Sequence, residues 1–322
     1  MPYISSKYPG PPLILRNGTV ETIYAALWRK APEVSYQRER RELPDGDFID
    51  LDWLLQGSNK LAVIVHGLEG NSQRPYLRAM ASLYYEKGWD VLAWNARSCS
   101  GEMNRNFRLY SHADIDDLQL VLNGILHSGT YKSVTLTGVS MGGNMVLKYA
   151  GVEGESLRHS PLVAVTAIST PLDLRAAARN LDRPNMFVFN WKFSQNLKKK
   201  ITAKANQFPG KLDLDKLDQL ENWEDFDRYF TVPLGGYENV QEFYKLGSGI
   251  NYLSGISVPT LIINAQNDPI LTEESIDFKV PRGQDEVYVE LPKYGGHVAF
   301  TLKNSIYNWS EIRSWSFAEA HL

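Results

Sequence analysis

Cysteine is all but missing from this chain of 322 residues. Cys99 is the only one, so no intrachain disulfide can form and a thiolate zinc cluster is excluded. A lone thiol is compatible with a reducing compartment, and a cytoplasmic location is the expectation. Neither sign of charge is in real surplus. Lys and Arg number 34 against 37 Asp and Glu, and a net charge of −3 lacks the basic footprint that nucleic-acid binding needs. No apolar run approaches the length that spans a bilayer. The stretch from Met1 to Lys7 has no basic start followed by an apolar segment, so no signal peptide is expected. Repeats and low-complexity tracts are absent, and the six histidines show no H-E-x-x-H arrangement; no metal and no organic cofactor are expected. The 43% hydrophobic and 22% charged content belongs to an ordinary soluble globular protein. Its length suits one large α/β domain with an insertion, or two domains.

What is present is a rhythm. Residues 1–18 are rich in proline and read as an extended arm. Thr19–Trp28 is ambiguous between a short strand and a helical turn. Tyr36–Glu42 and Phe48–Leu54 flank the turn Leu43–Asp47 and predict an antiparallel hairpin at a sheet edge. The pattern then changes to continuous apolar runs at Leu61–Val65, Asp90–Trp94, Val134–Val139 and Leu162–Ile168. Such runs mark strands buried on both faces. Helical stretches at Arg74–Lys87 and His112–Leu126 separate them, so a parallel sheet with right-handed crossovers is predicted. Residues 171–250 are helix-prone and contain no buried strand. Strands resume at Pro259–Ala265 and Val287–Leu291, and a closing helix is predicted over about 300–318. The reading is a first core segment over 1–170, a helical lid insertion over 171–250 and a second core segment over 251–322.

Ser133–Ala150 carries the chemistry. It reads as strand, sharp turn and helix, with Gly138-Val139-Ser140-Met141-Gly142 at the turn, the pattern of a G-x-S-x-G nucleophile elbow. A serine at the tip of such a turn sits in a strained backbone conformation, and side chains two positions away would crowd it. Gly138 and Gly142 remove that crowding, and Gly143 gives room where helix and strand approach. The bland alternative is a glycine-rich turn with an idle serine. A serine hydroxyl needs a base, and the base needs an acid to hold its tautomer. Sites in open α/β sheets lie at the carboxyl ends of strands. Asp268 follows Leu261–Ile263, and His297 follows Val287–Leu291, so the chain order is Ser, Asp, His, as the elbow demands. Glu273 or Glu274 remains an alternative acid. Among the histidines, His66 is expected to support the loop after its strand. His112 and His127 lie in a helical region, and His159 and His321 in polar stretches. An oxyanion hole needs two donors. The N–H of Met141 supplies one; the loop His66-Gly67-Leu68-Glu69-Gly70 supplies the other, assigned to the N–H of Leu68.

Together these motifs resemble the α/β-hydrolase superfamily, and more narrowly its YheT-like branch. That branch includes yeast medium-chain fatty acid ethyl ester synthase/esterases and mammalian lipases acting on phospholipids. The resemblance runs from about His66 to Phe300. It is carried by His66–Gly70, Asn95–Gly101 with Asn104, Asp116–Leu118, Gly138–Asn144, Asn264–Pro269 and Gly295–Val298 with Phe300. In the insertion it is carried by Phe226, Asp227, Thr231, Gly236–Tyr244 and Ser248. It implies an α/β-hydrolase fold with a mostly parallel, eight-stranded type of sheet. It also implies a carboxylic-ester hydrolase with Ser140, Asp268 and His297 as triad and no cofactor. Short- or medium-chain acyl esters are the implied substrates; ester synthesis by alcohol transfer and phospholipid or acylglycerol hydrolysis are the alternatives. Three positions depart from the family pattern: Ser98 where glycine is expected, Met141 where leucine is common, and Ala113 in place of a glycine.

In the insertion, Met186–Phe193 is the densest apolar-aromatic stretch. Phe187, Phe189 and Trp191 could form an acyl-binding wall, or the lid's own packing core. Lys198, Lys199 and Lys200 could touch anionic headgroups in a weak peripheral contact, or form a solvated face. Cys99 has no base placed for it, and Arg97 is expected to brace loops.

Overall fold

The apolar runs become the middle of one sheet in a computed structural model that describes residues 3–279 and 283–322. In chain order the first half contains β1 (Tyr3–Ile4), α1 (Gly18–Leu27), β2 (Gln37–Glu42), β3 (Phe48–Leu54), β4 (Lys60–Val65), α2 (Pro75–Glu86), β5 (Asp90–Asn95), α3 (Asp116–His127), β6 (Ser133–Val139), α4 (Met141–Glu153) and β7 (Leu162–Ile168). Five helices follow: α5 (Leu174–Leu181), α6 (Phe187–Gln207), α7 (Trp223–Phe226), α8 (Val232–Gly235) and α9 (Val240–Gly247). The chain closes with β8 (Thr260–Ile263), β9 (Val287–Glu290) and α10 (Trp309–Glu319).

The strand order is β1-β9-β8-β7-β6-β4-β5-β3-β2. Only the β2–β3 and β3–β5 pairs are antiparallel. The sheet thus has nine strands rather than the eight expected. The extra one is β1, whose Tyr3 and Ile4 pair with Val289 and Glu290. It is a short parallel addition of two residues at the sheet edge. Met1 and Pro2 of the expected extended arm lie outside the described residues.

The two-residue period of β4 sorts its side chains between two cores. Leu61, Val63 and Val65 pack with α3 and α4, whereas Ala62 and Ile64 pack with α2 and α10. The opposite edge, β2, is Gln-Arg-Glu-Arg-Arg-Glu, a charged strand that discourages pairing with another chain. Arg38 and Arg40 fold back onto Asp52 and Asp50 of β3.

Two ambiguous or misplaced segments resolve. Gly18–Leu27 is a helix, capped by the Asn17 side chain, which accepts from Val20 N at 3.1 Å. The closing helix starts at Trp309, later than expected, where a capping box between Asn308 and Glu311 sets its first turn. His112 also lies outside a helix, since α3 begins at Asp116.

Between β7 and β8 the helices α5–α9 form their own apolar cluster around Leu174, Ile201, Trp223, Phe226, Phe230 and Phe243. Asp227–Thr231 within it is a π-helical turn.

Candidate active site

Ser140 stands between β6 and α4 with φ 55° and ψ −116°, a conformation costly for any residue with a Cβ. The glycines around it explain how the turn closes. A Cβ on Gly138 would lie 2.1 Å from Gly142 O, and one on Gly142 would lie 2.5 Å from Val65 O. Gly143 is equally tight, 1.9 Å from Thr170 Oγ1. Backbone and side chain therefore meet here at distances only glycine permits.

Three side chains converge across 157 residues of sequence. Ser140 Oγ lies 3.0 Å from His297 Nε2. His297 Nδ1 lies 2.9 Å from Asp268 Oδ2. The other oxygen, Asp268 Oδ1, accepts from Ile270 N at 2.8 Å and Leu271 N at 3.3 Å. The Asp268 side chain is fully buried and that of His297 is 10% exposed. Glu273 and Glu274, the alternative acids, sit exposed on the next turn, and the carboxylate on His297 is that of Asp268.

The histidine loop is held by hydrogen bonds to three other segments of the chain. His297 N donates to Thr22 Oγ1 of α1 at 2.7 Å, Gly296 N donates to Asn267 Oδ1 at 3.0 Å, and Val298 N donates to Ser169 Oγ at 2.9 Å. The glycines before His297 allow a close approach. A Cβ on Gly296 would lie 2.7 Å from Gly18 O, so α1 could not pack there. Thr22 is 275 residues away in sequence, and no local signal marks it.

The loop after β4 supplies the facing wall. His66 is buried; burial lowers its pKa to about 4, so it is neutral. Its Nε2 accepts from Ala96 N at 3.0 Å, which leaves Nδ1–H to donate to Gly67 O at 2.7 Å. His66 thus supports this loop, as expected. Gly67 N donates to Tyr76 OH and Glu69 N donates to Tyr110 OH. Leu68 N–H, between them, has no acceptor among the described residues. Met141 opens α4, where N–H groups have no intrahelical acceptor. Both are free to receive an oxyanion.

Two cavities meet at Ser140 and His297. The first runs into the helical insertion and is walled by Leu174, Ala178, Phe193, Leu197, Trp223 and Phe243. The second opens between α1 and α6 and is lined by Ala25, Ala26, Arg74, Phe189, Lys192 and Asn196. The expected acyl wall of Phe187, Phe189 and Trp191 is therefore corrected, since none of the three lines the first cavity. Phe187 and Trp191 are 69% and 55% exposed and line neither cavity. Phe189 lines the second, and Phe193, one helical turn beyond, lines both. The reason is helical phase: 189, 193 and 196 share the inner face of α6, and 187 and 191 lie on its back.

Two other expectations are refined. Lys198–Lys200 is not one solvated face, because Lys200 turns inward to Glu69 at 2.9 Å. Arg97 is buried and braces loops, donating to Asp117 at 2.7 Å and to Asp47 at 3.0 Å. Ser98 occupies the left-handed region at φ 63°, which accounts for the glycine expected there. No group of three His, Cys, Asp or Glu among the described residues could hold a metal ion, and no described helix is long and apolar enough to cross a membrane.

Residues 61–303 match the family described as alpha/beta hydrolase fold. The Escherichia coli protein YheT is 30% identical over 290 residues, covering 88% of this chain and 84% of that one. Human phospholipase ABHD3 is 28% identical over 295 residues, covering 88% of this chain and 71% of that one. A solved structure of the Pyrococcus furiosus esterase Pf2001 superimposes with a TM-score of 0.58 over 90% of this chain and 96% of that one, at 15% identity; this is a likeness of fold. The chain belongs to the alpha/beta hydrolase fold family, in its YheT-like branch.

Proposed function

We propose that this protein is a serine-dependent carboxylic-ester hydrolase working through an acyl-enzyme. The observation that carries the reading is the unbroken chain of hydrogen bonds Ser140–His297–Asp268 at 3.0 and 2.9 Å. His297 Nε2 takes the proton as Ser140 Oγ attacks the ester carbonyl. Asp268 holds Nδ1–H and stabilises the imidazolium that forms. The N–H groups of Leu68 and Met141 receive the oxyanion, each worth ~3 kcal/mol in a water-poor site. His297 returns the proton to the leaving alcohol, then draws one from water as that water releases the acid and restores Ser140.

The substrate divides between the two cavities. The cavity in the insertion takes the acyl chain along a lining that includes Trp223, Phe226 and Leu234, and short- and medium-chain esters are the substrates of this reading. Residues 171–250 act as the lid that shapes it. The second cavity takes the alcohol. Arg74 and Lys192 line it and form no ion pair among the described residues, which favours, as a second reading, an alcohol carrying a phosphate, as in a phospholipid.

Labelling with a fluorophosphonate tests the nucleophile: wild type labels and Ser140→Ala does not. A folded wild type that fails to label overturns the proposal. A panel of p-nitrophenyl esters of graded length, run with and without ethanol, separates hydrolysis from alcohol transfer. Ester as the main product at low ethanol would replace the hydrolase reading with that of an ester synthase.

A further inference from the structure

Lys200 is a lysine in a mostly apolar wall. It lines the same cavity as Ser140, Leu68 and Tyr110, and its side chain is only 14% exposed. Its Nζ lies 2.9 Å from Glu69 Oε1, 3.1 Å from Cys99 Sγ and 4.7 Å above the Tyr110 ring. Glu69 immediately follows Leu68 and has φ 56°, a left-handed backbone that relaxes unless its surroundings hold it. Tyr110 OH donates to the Glu69 carboxylate and accepts from Glu69 N. One lysine and one tyrosine therefore clamp both the side chain and the backbone of the residue next to the proposed oxyanion donor.

The clamp comes from a firmly seated helix. Lys204, one turn after Lys200 in α6, is fully buried. It donates to Asn104 O at 2.8 Å, to Asn106 O and to Gln207 Oε1 at 3.0 Å. A buried ion pair adds little net stability over an apolar pair of the same volume, so Lys200–Glu69 is poorly explained as a device for folding. Orientation explains it better, because a hydrogen bond to an oxyanion weakens steeply with misalignment.

We infer that Lys200 is a positioning residue of the oxyanion hole: from the helical insertion it holds Glu69, and through Glu69 the turn that presents Leu68 N–H to the reacting carbonyl. The inference rests on the ester-hydrolase reading. It makes the hole complete only while α6 is seated over the core, so the insertion that shapes the acyl cavity also switches on the chemistry.

The test uses the full chain and p-nitrophenyl butyrate. In Lys200→Met, kcat falls about tenfold or more, short of the 10²–10³ lost with an entire donor, and KM changes less than about twofold. Affinity for an alkyl boronic acid, which forms the tetrahedral adduct, falls by the same factor as kcat/KM. Glu69→Gln gives the same kcat loss, and the double variant is no worse than the worse single one, because both act through one contact. If Lys200→Met does not fold, Glu69→Gln carries the test alone. An unchanged kcat in either folded variant overturns the inference, as does a loss confined to KM or additive losses in the double variant. Wild type that a fluorophosphonate leaves unlabelled defeats the hydrolase reading itself. Wild type and Lys200→Met labelling at the same rate defeats only the role of Lys200.

Discussion

The β2–β3 edge of the sheet buries Asp47, Asp50 and Asp52, and the helical insertion buries Asp227. Burial alone would raise all four. At the sheet edge it is outweighed: Asp52 accepts from Arg38, Ser72 and Asn95, Asp50 from Arg40 and Ser100, and Asp47 from Asn104 and three backbone N–H groups, so all three are held below the usual carboxylate range. In the insertion no cation faces Asp227. Burial dominates the hydrogen bonds from Thr231 and Tyr244, and its pKa rises to about 7. The two regions thus solve burial with different chemistry. The sheet edge is an ion-paired frame that, through Arg97, fixes the loop beneath the site. The insertion is an apolar shell built mainly for shape, with Lys200 and Lys204 among its ties to the core.

If the chemistry belongs to the sheet, the largest losses follow from touching its strand ends. Asp268→Asn lowers kcat/KM by about 10⁴-fold, because His297 loses the acceptor that fixes its tautomer; ester turnover with matched thermal melts measures it. The frame comes next. Arg97→Ala leaves Asp47 and Asp117 without their cation and costs about 3–5 kcal/mol in urea unfolding. A loss below 1 kcal/mol would mean that the edge is no frame at all.

The insertion responds to pH in the opposite sense to the edge. A carboxyl whose folded pKa is raised contributes stability fully present below its unfolded value near 3.8 and lost as pH climbs to about 7. For Asp227 that span corresponds to roughly 4 kcal/mol. Asp227→Asn removes the loss, so the variant gains on wild type between pH 4 and 7 and the gap is flat above. A constant gap across that range would place a compensating charge beside Asp227. The smallest effects separate the faces of α6. Phe193→Ala shifts preference among acyl lengths by about tenfold, whereas Phe187→Ala and Trp191→Ala leave every ester within about twofold. A selectivity change at Trp191 would merge the two faces that the fold keeps apart.

The sheet was largely legible because its strands are continuous apolar runs, and Gly138–Gly142 was legible because steric necessity at one turn is written in consecutive residues. Asp268 and His297 were found from their order and their places after strands. The insertion was harder to read. Phe187, Trp191 and Phe193 look alike in sequence, and a shift of one or two positions on a helix turns a wall residue into a solvent-facing one. Lys200 was indistinguishable from Lys198 and Lys199 for the same reason. Thr22 carried no signal, since it acts through a hydrogen bond to a loop 275 residues away, and Asn267, though inside the Asn264–Pro269 motif, gave no local hint that it would hold Gly296 N.

Local chemistry was enough to set the strand–turn–helix at Ser140 and the class of sheet and to shortlist the residues that can act as base and acid, because each depends on neighbours within a few positions. Packing across the chain decided the rest. It chose Asp268 over Glu273, seated α1 against Gly296 to hold His297, turned Lys200 toward Glu69, and made Phe193 rather than Trp191 a wall of the cavity. Those outcomes depend on which surfaces meet when the sheet closes, and no local pattern contains that information.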